Sequence, residues 1–261
     1  MPMATLDKVH LHWHEDGDPS GVPVVFANSL GTDLRLWDKI VPRLPAGLRI
    51  IRFDKRGHGL SFCPPAPYRM DDLVDDTEAL LTHLGVKDCV LVGLSIGGMI
   101  GQALAARRPD LVRALVLSNT AAKMGEAGMW QDRIDSIRAG GIEALADAIL
   151  DRWFAAAFLK TPEAEAWRNM LTRTPVEGYL GCCAAIAGTD LSGTTATLRL
   201  PVLGIGGSDD GASPPDLVRA TTALVPGARF VEIEDAGHLP CVEQPALFAG
   251  HLTAFLKETV L

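Results

Sequence analysis

A short motif near the middle of the chain constrains the fold more than any other feature. The motif Gly93-Leu94-Ser95-Ile96-Gly97 follows an apolar run over residues 89–92, which predicts a buried strand, and it opens a run over residues 96–106 that predicts a helix. A strand, G-x-S-x-G and a helix in this order are typical of a nucleophile elbow, in which a sharp turn exposes a serine at the carboxyl end of a sheet. The two glycines let the strand and the helix approach closely. Ser95 is therefore the predicted nucleophile.

Two downstream loops supply an acid and a base for this serine. A predicted strand over residues 201–207 leads to Asp209 and Asp210, and another over residues 229–233 leads to His238. A serine hydroxyl needs a base to take its proton, and that imidazole needs a carboxylate to hold its tautomer. We favour Asp210 over Asp209 because Asp210 begins a D-x-x-S-P stretch that ends at Pro214. The chain order serine, acid, histidine is that of α/β-hydrolases. The alternative is that Ser95 and His238 are ordinary turn and loop residues.

The loop after the first predicted core strand offers an oxyanion hole. Residues 22–27 form the apolar strand, and Asn28-Ser29-Leu30-Gly31 follow it. In this architecture one backbone N–H comes from that loop and another from the residue after the nucleophile. The predicted donors are the amides of Leu30 and Ile96. The alternative is a polar turn without a catalytic role.

Composition bounds the class of protein. The 261 residues are 48% hydrophobic and 21% charged, which favours one well-packed α/β domain with an insertion the size of a lid. A net charge of −8 argues against nucleic acid and anionic membranes as partners. Neither a membrane-spanning apolar run nor a signal peptide is visible, so we expect a cytoplasmic protein. The five cysteines lack paired spacing, which favours free thiols.

Two other groups of charged residues have competing interpretations. His10, His12 and His14 alternate along a predicted strand and share one face, where they either bind a metal or form a solvated edge. We favour the solvated edge and predict no metal site. Asp54 and Arg56 lie in a glycine-rich loop after another strand, and we expect them to form an ion pair.

Strands and helices alternate on both sides of a helical middle segment. This alternation predicts a mostly parallel central sheet covered by helices on both faces. Residues 123–189 have a helical pattern throughout and contain three of the five tryptophans. We therefore divide the chain into a first core part over residues 1–121, an α-helical cap over 122–190 and a second core part over 191–261.

Several segments together resemble the 3-oxoadipate enol-lactonases. They are residues 27–37, 53–61, 93–102, 117–122 and, within the cap, 178–186. The Asn-Ser-Leu-Gly loop and the Gly-Tyr-Leu-Gly-Cys-Cys segment are more particular to those enzymes than the elbow is. The resemblance implies an α/β-hydrolase fold and a cofactor-independent serine hydrolase. It also implies an acyl-enzyme, a small anionic lactone as substrate, and a place in the catabolism of protocatechuate and catechol.

An acidic protein needs a local cation to bind such an anion, and the cap is its expected source. Trp130 and Arg133 are three residues apart, so they share a helix face where the guanidinium could bind the carboxylate and the indole could cover the ring. The alternative is that Trp130 packs the cap and Arg133 pairs with Asp132 or Asp135. Other candidates in the cap are Arg152, Arg173 and Trp153.

Other functions remain open on the sequence alone. A carboxylesterase, a perhydrolase or a carbon–carbon bond hydrolase would share the triad. A small-ligand receptor would retain the triad but turn over slowly. The sequence leaves the oligomeric state open, including a homo-oligomer.

Overall fold

The apolar runs of the sequence form the strands of one sheet in a computed structural model that describes residues 2–260. The strands are β1 (Met3–Thr5), β2 (His10–Gly17), β3 (Val22–Ala27), β4 (Leu48–Phe53), β5 (Cys89–Leu94), β6 (Val112–Ser118), β7 (Val202–Gly207) and β8 (Arg229–Ile233). Their spatial order is β1-β2-β4-β3-β5-β6-β7-β8. The pairs β1–β2 and β2–β4 are antiparallel and every other pair is parallel. This arrangement confirms the predicted mostly parallel sheet.

Strands β5 and β7 are buried along their whole length because helices cover the sheet. All six residues of β5 and all six of β7 are buried, which explains why these strands are continuous apolar runs in the sequence. Outside the segment between β6 and β7, the α-helices are α1 (Met70–His83), α2 (Ile96–Arg107), α8 (Pro215–Ala223), α9 (Pro240–Glu243) and α10 (Pro245–Thr259). Helix α2 packs against β5 and β6, and α8 packs against β7.

The segment between β6 and β7 is helical wherever it has regular structure. It contains α3 (Ala127–Gly140), α4 (Ala146–Trp153), α5 (Glu163–Thr172), α6 (Val176–Ala187) and α7 (Ser192–Thr195), with short 3₁₀ turns at Ile142–Leu145 and Phe158–Lys160. Helix α6 approaches the loop after β4 so closely that a Cβ on Gly178 would clash with the Gly57 carbonyl. The division of the chain at residues 122 and 190 stays a prediction.

The parallel strands place five loops at one edge of the sheet. The loops after β3, β5, β6, β7 and β8 carry, in that order, Asn28, Ser95, Asn119, Asp210 and His238. Carboxyl ends of parallel strands meet at the same edge, which is where ligands bind in open α/β sheets. The fold thus gathers residues that lie far apart in the sequence.

The predicted Asp54–Arg56 ion pair is wrong. Arg56 instead donates to both oxygens of Asp76 on α1, at 2.6 and 2.7 Å. Asp54 is occupied by the backbone N–H groups of Leu34 and Leu60. The Asp54 side chain therefore holds the loops that contain Leu34 and Leu60, and the Arg56 guanidinium binds α1 instead.

The histidine strand also differs from its favoured interpretation. His12 is only 9% exposed, and its Nδ1 lies 2.8 Å from Asp54 Oδ2, whereas His10 and His14 are exposed. The three side chains therefore do not form one solvated edge.

Over residues 2–260, no three His, Cys, Asp or Glu side chains are grouped to hold a metal ion. In the same range no helix is both long and apolar enough to cross a membrane, and none of the five cysteines forms a disulfide.

Candidate active site

Ser95 occupies a strained turn between β5 and α2. Its backbone lies at φ 58° and ψ −121°, in the left-handed range of φ that a non-glycine residue adopts only when the surrounding structure imposes it. Its carbonyl accepts a hydrogen bond from Thr120 Oγ1 at 2.6 Å. A Cβ on Gly97 would clash with the Ala27 carbonyl, and one on Gly93 would clash with Gly97. The glycines of the motif are therefore required by the close packing of β3, β5 and α2.

Asp210 and His238 meet at the ends of β7 and β8. His238 Nδ1 donates to Asp210 Oδ2 at 2.9 Å, and the two residues are 2% and 4% exposed. The other oxygen, Asp210 Oδ1, accepts the backbone N–H groups of Ala212 at 2.7 Å and Ser213 at 2.8 Å. Asp209 is exposed and lies 3.1 Å from the Ser208 hydroxyl. The structure thus brings Asp210, and not Asp209, onto the histidine.

Asn119 is a part of the site that sequence reasoning did not assign. Its side-chain amide donates to Asp210 Oδ2 at 2.9 Å and to the Gly237 carbonyl at 3.2 Å. The residue is fully buried, has φ 47° and accepts a hydrogen bond from Ser118 Oγ. Asn119 therefore links the acid to the histidine loop. Its position directly after a buried strand is the one signal that could have indicated it.

The two backbone N–H groups that are the predicted oxyanion donors are buried and make no hydrogen bond within the described residues. Over residues 2–260 the backbone N–H groups of Leu30 and Ile96 have no hydrogen-bond partner, while these residues are 5% and 0% exposed. The Asn28 side chain is used within the protein, because it donates to the Phe53 carbonyl and accepts from Trp37. Main-chain groups are therefore the ones left free for a ligand oxygen.

A lysine and a histidine after β4 hold the loop that contains Leu30. Lys55 Nζ donates to the Ser29 carbonyl at 2.5 Å, and burial lowers the pKa of this amine to about 8. His58 Nε2 accepts the Gly31 N–H at 3.0 Å. Burial and the charge of Lys55 keep the pKa of His58 well below its usual value, so this imidazole stays neutral and can accept. The loop is thus fixed by two side chains that do not line the cavity beside Ser95.

The Ser95 hydroxyl and the His238 ring are not hydrogen-bonded to each other. His238 Nε2 lies 3.5 Å from the hydroxyl of Ser29 instead. Within the described residues, Ser95 Oγ makes no hydrogen bond. Such contacts are often long in ligand-free enzymes and shorten when substrate binds. Ser95, Ser29 and His238 all line the same cavity.

The C-terminal end of α4 contacts the loops that carry Asp210 and His238. The Trp153 carbonyl accepts the His238 N–H at 2.7 Å, and the Arg152 carbonyl accepts the Gly211 N–H at 3.2 Å. Glu243 joins the same region, since its two oxygens accept the N–H groups of Gly237 and Ala155. Burial raises the pKa of Glu243 to about 7. The loops of Asp210 and His238 are therefore held on a helix of the segment between β6 and β7.

The cavity beside Ser95 has a volume of about 180 Å³, below the roughly 300–1,000 Å³ usual for drug-sized ligands. Its lining includes the predicted cap residues Trp130, Arg133, Arg152 and Trp153. Arg173 lines a different cavity, between α5 and the loop after β3, so it is not placed to bind the same ligand.

The Arg133 guanidinium stacks 5.1 Å from the centre of the Trp130 ring. Over residues 2–260 it forms no salt bridge, and Asp135 pairs with Arg138 instead. The Trp130 indole N–H is used by the Met124 carbonyl. Trp130 thus supports the guanidinium, which retains its donors for a ligand.

Comparisons with known proteins agree with this geometry. Residues 22–245 match the family described as alpha/beta hydrolase fold. The chain is 35% identical to "3-oxoadipate enol-lactonase 2" of Acinetobacter baylyi over 97% of this chain and 95% of that protein. It superimposes with a TM-score of 0.95 on the enol-lactonase from Burkholderia xenovorans LB400, at 36% identity over 98% of this chain and 100% of that one. It also superimposes with a TM-score of 0.92 on a thermophilic esterase from Thermogutta terrifontis, at 28% identity over 100% and 99% of the two chains. The resemblance drawn from the sequence motifs is confirmed.

Proposed function

Since this chain belongs to the α/β-hydrolase fold family and is a hydrolase of carboxylic esters, we propose that it opens the ring of 3-oxoadipate enol-lactone. Ser95 is the nucleophile, His238 the general base and Asp210 the group that orients it. One observation carries the proposal. A small cavity contains the elbow serine, the histidine of a buried Asp–His pair and an arginine without an acidic partner among the described residues.

The proposed reaction begins at the lactone carbonyl. Ser95 Oγ attacks it while His238 Nε2 takes the hydroxyl proton, and the amides of Leu30 and Ile96 stabilise the oxyanion. Hydrogen bonds from Asn119, Ala212 and Ser213 fix the Asp210 carboxylate in the position where it accepts from His238.

Collapse of the tetrahedral intermediate breaks the ring C–O bond. His238 returns the proton to the departing enol oxygen, which stays tethered because it belongs to the acyl group. His238 then activates a water that hydrolyses the ester to Ser95. The released enol becomes a ketone, which makes ring opening favourable, and the product is 3-oxoadipate. Its formation places the enzyme in aromatic catabolism.

The carboxylate of the lactone is assigned to Arg133. The Arg133 guanidinium lies over the Trp130 ring and forms no salt bridge within residues 2–260, so it suits bidentate binding of a carboxylate in an otherwise acidic protein. Trp153 lines the same cavity, and its ring lies close to Gly31 in the loop that contains Leu30.

A substrate panel tests the proposal. We expect turnover of the enol-lactone with a higher kcat/KM than for p-nitrophenyl acetate, and none of a vinylogous diketone. Arg133→Met should raise KM for the lactone by about 10- to 100-fold, as for a lost charged hydrogen bond, and leave the neutral ester unaffected. Arg138→Met is the matched control, since Arg138 lies on the same helix but pairs with Asp135 at the surface.

Other outcomes contradict the proposal in different ways. Hydrolysis of the ester alone would indicate a general carboxylesterase, and cleavage of the diketone a carbon–carbon bond hydrolase. Tight binding of the lactone with negligible turnover would indicate a receptor. Equal loss on lactone and ester in Arg133→Met would mean that Arg133 supports the cap rather than the carboxylate.

A further inference from the structure

The hydroxyl of Tyr179 is a buried hydrogen-bond donor without an acceptor. Tyr179 lies on α6, is 0% exposed and lines the cavity beside Ser95. Within the described residues its hydroxyl makes no hydrogen bond of normal geometry. The Arg133 guanidinium lies close enough to interact with the phenol oxygen, but a guanidinium only donates, so the phenol proton has no acceptor. Its ring lies against Gly31, next to the predicted oxyanion donor Leu30. Burial raises the pKa of this phenol, so it remains protonated and can donate.

A phenylalanine would fill this position without the cost of an unpaired hydroxyl. Buried polar groups normally have partners, and one left unpaired destabilises the fold. The other tyrosine of the chain follows the usual pattern, because the Tyr68 hydroxyl donates to the Pro64 carbonyl at 2.6 Å. The unpaired donor of Tyr179 therefore points to an acceptor that arrives with a ligand.

The neighbouring charges indicate what kind of acceptor this is. Burial raises the pKa of Tyr179, while the charge of Arg133 and a hydrogen-bonding contact with its guanidinium act in the opposite direction, so the guanidinium lies beside the phenol oxygen. Arg152 lines the same cavity, and burial together with the charge of Arg133 lowers its pKa. Over residues 2–260 neither arginine forms a salt bridge. Two cations and a neutral donor facing a small cavity without an acid suit a ligand carboxylate.

We propose that the Tyr179 hydroxyl donates to one oxygen of a ligand carboxylate whose other oxygen is bound by Arg133, so that Tyr179 determines specificity for anionic substrates. In identifying that carboxylate with the carboxymethyl group of the lactone, the inference rests on the proposed function. A planar carboxylate has two oxygens. An ion pair of one oxygen with Arg133 and a hydrogen bond from the neutral Tyr179 hydroxyl to the other fix its orientation. A site built to donate hydrogen bonds discriminates strongly against a ligand that lacks the acceptor.

The test uses butanoate as the anionic probe and butanamide as its neutral counterpart. Each is measured as a competitive inhibitor of p-nitrophenyl acetate hydrolysis, so the assay does not depend on the lactone. Tyr179→Phe should raise the Ki of butanoate by about 10- to 150-fold, the factor for one hydrogen bond to a charged group. The Ki of butanamide should not change. The melting temperature should stay the same or rise, because the variant removes an unpaired buried hydroxyl.

Tyr68→Phe is the matched control and should show the opposite pattern. It removes a satisfied hydroxyl outside the cavity, so the melting temperature should fall while the Ki of butanoate stays at the wild-type value. The inference is overturned if Tyr179→Phe leaves the Ki of butanoate unchanged, or if it raises both inhibition constants equally. A butanoate effect without lactone turnover would support the carboxylate site and refute only the proposed substrate.

Discussion

Removing the Asn119 amide should reduce catalysis without unfolding the protein. Asn119→Gly deletes the donor to Asp210 Oδ2 and tolerates the backbone at φ 47°, since glycine adopts positive φ freely. Asp210 then keeps three of its four hydrogen bonds, from the backbone of Ala212 and Ser213 and from His238.

The size of the effect is worked from the lost bond to the charged Asp210 carboxylate, since the bonds to the Gly237 carbonyl and from the Ser118 hydroxyl that are lost with it join neutral groups. A hydrogen bond to a charged group contributes about 1.5–3 kcal/mol. If the full amount is lost in the transition state, kcat/KM should fall by roughly 10- to 150-fold. This is well below the roughly 10⁴-fold loss expected when the acid itself is replaced, because the backbone amides still hold the carboxylate.

The assay is steady-state hydrolysis of p-nitrophenyl acetate with urea unfolding measured in parallel. Ser118→Ala is the control, since it removes the hydroxyl that donates to Asn119 Oδ1 but leaves the amide donors in place, and its loss should be smaller. Wild-type kcat/KM in a folded Asn119→Gly enzyme would refute the reasoning. So would a loss that simply follows the unfolded fraction.

Three further predictions concern the acid and two buried charges. Asp210→Asn should lower kcat about 10⁴-fold and Asp209→Asn only slightly; the reverse order would transfer the role to Asp209. Lys55 has a pKa of about 8 when folded against 10.5 in the unfolded chain, so stability should rise with pH between these values, since the unfolded chain holds the extra proton there. Lys55→Met should lack that rise in urea unfolding at pH 8 and pH 10, and parallel curves for both proteins would contradict it. Glu243 has a raised pKa of about 7 against 4.5, so its contribution to stability should fall as pH rises from 4.5 to 7, because the folded state holds the extra proton. Glu243→Gln should remove this fall, and a wild-type pH dependence in the variant would rule it out.

Features that depend on neighbouring residues could be predicted from the sequence. Ser95 is indicated by a strand, a turn and a helix that are continuous in the chain. Asp210 and His238 each follow a strand, and parallel pairing then brings both to one edge. The mostly parallel sheet and the helical segment between β6 and β7 follow from the same local patterns.

Features that depend on distant contacts could not be predicted in this way. Asn119 lies 91 residues from Asp210, its partner, and nothing in its own segment indicates the contact. Arg56 was expected to pair with Asp54 nearby, yet it binds Asp76 because α1 brings that carboxylate beside it. Arg173 was one of several candidate cations, and only the packing of α5 places it outside the cavity of Ser95.

The structure of a phosphonate adduct tests the central claim most directly. After reaction with a p-nitrophenyl alkylphosphonate, we expect the phosphorus to be bonded to Ser95 Oγ. One phosphonyl oxygen should lie about 2.7–3.1 Å from the backbone nitrogens of both Leu30 and Ile96, with His238 Nε2 beside Oγ. An adduct on another residue, or an oxygen directed at the Asn28 side chain instead of the two amides, would contradict the proposed nucleophile or its oxyanion hole.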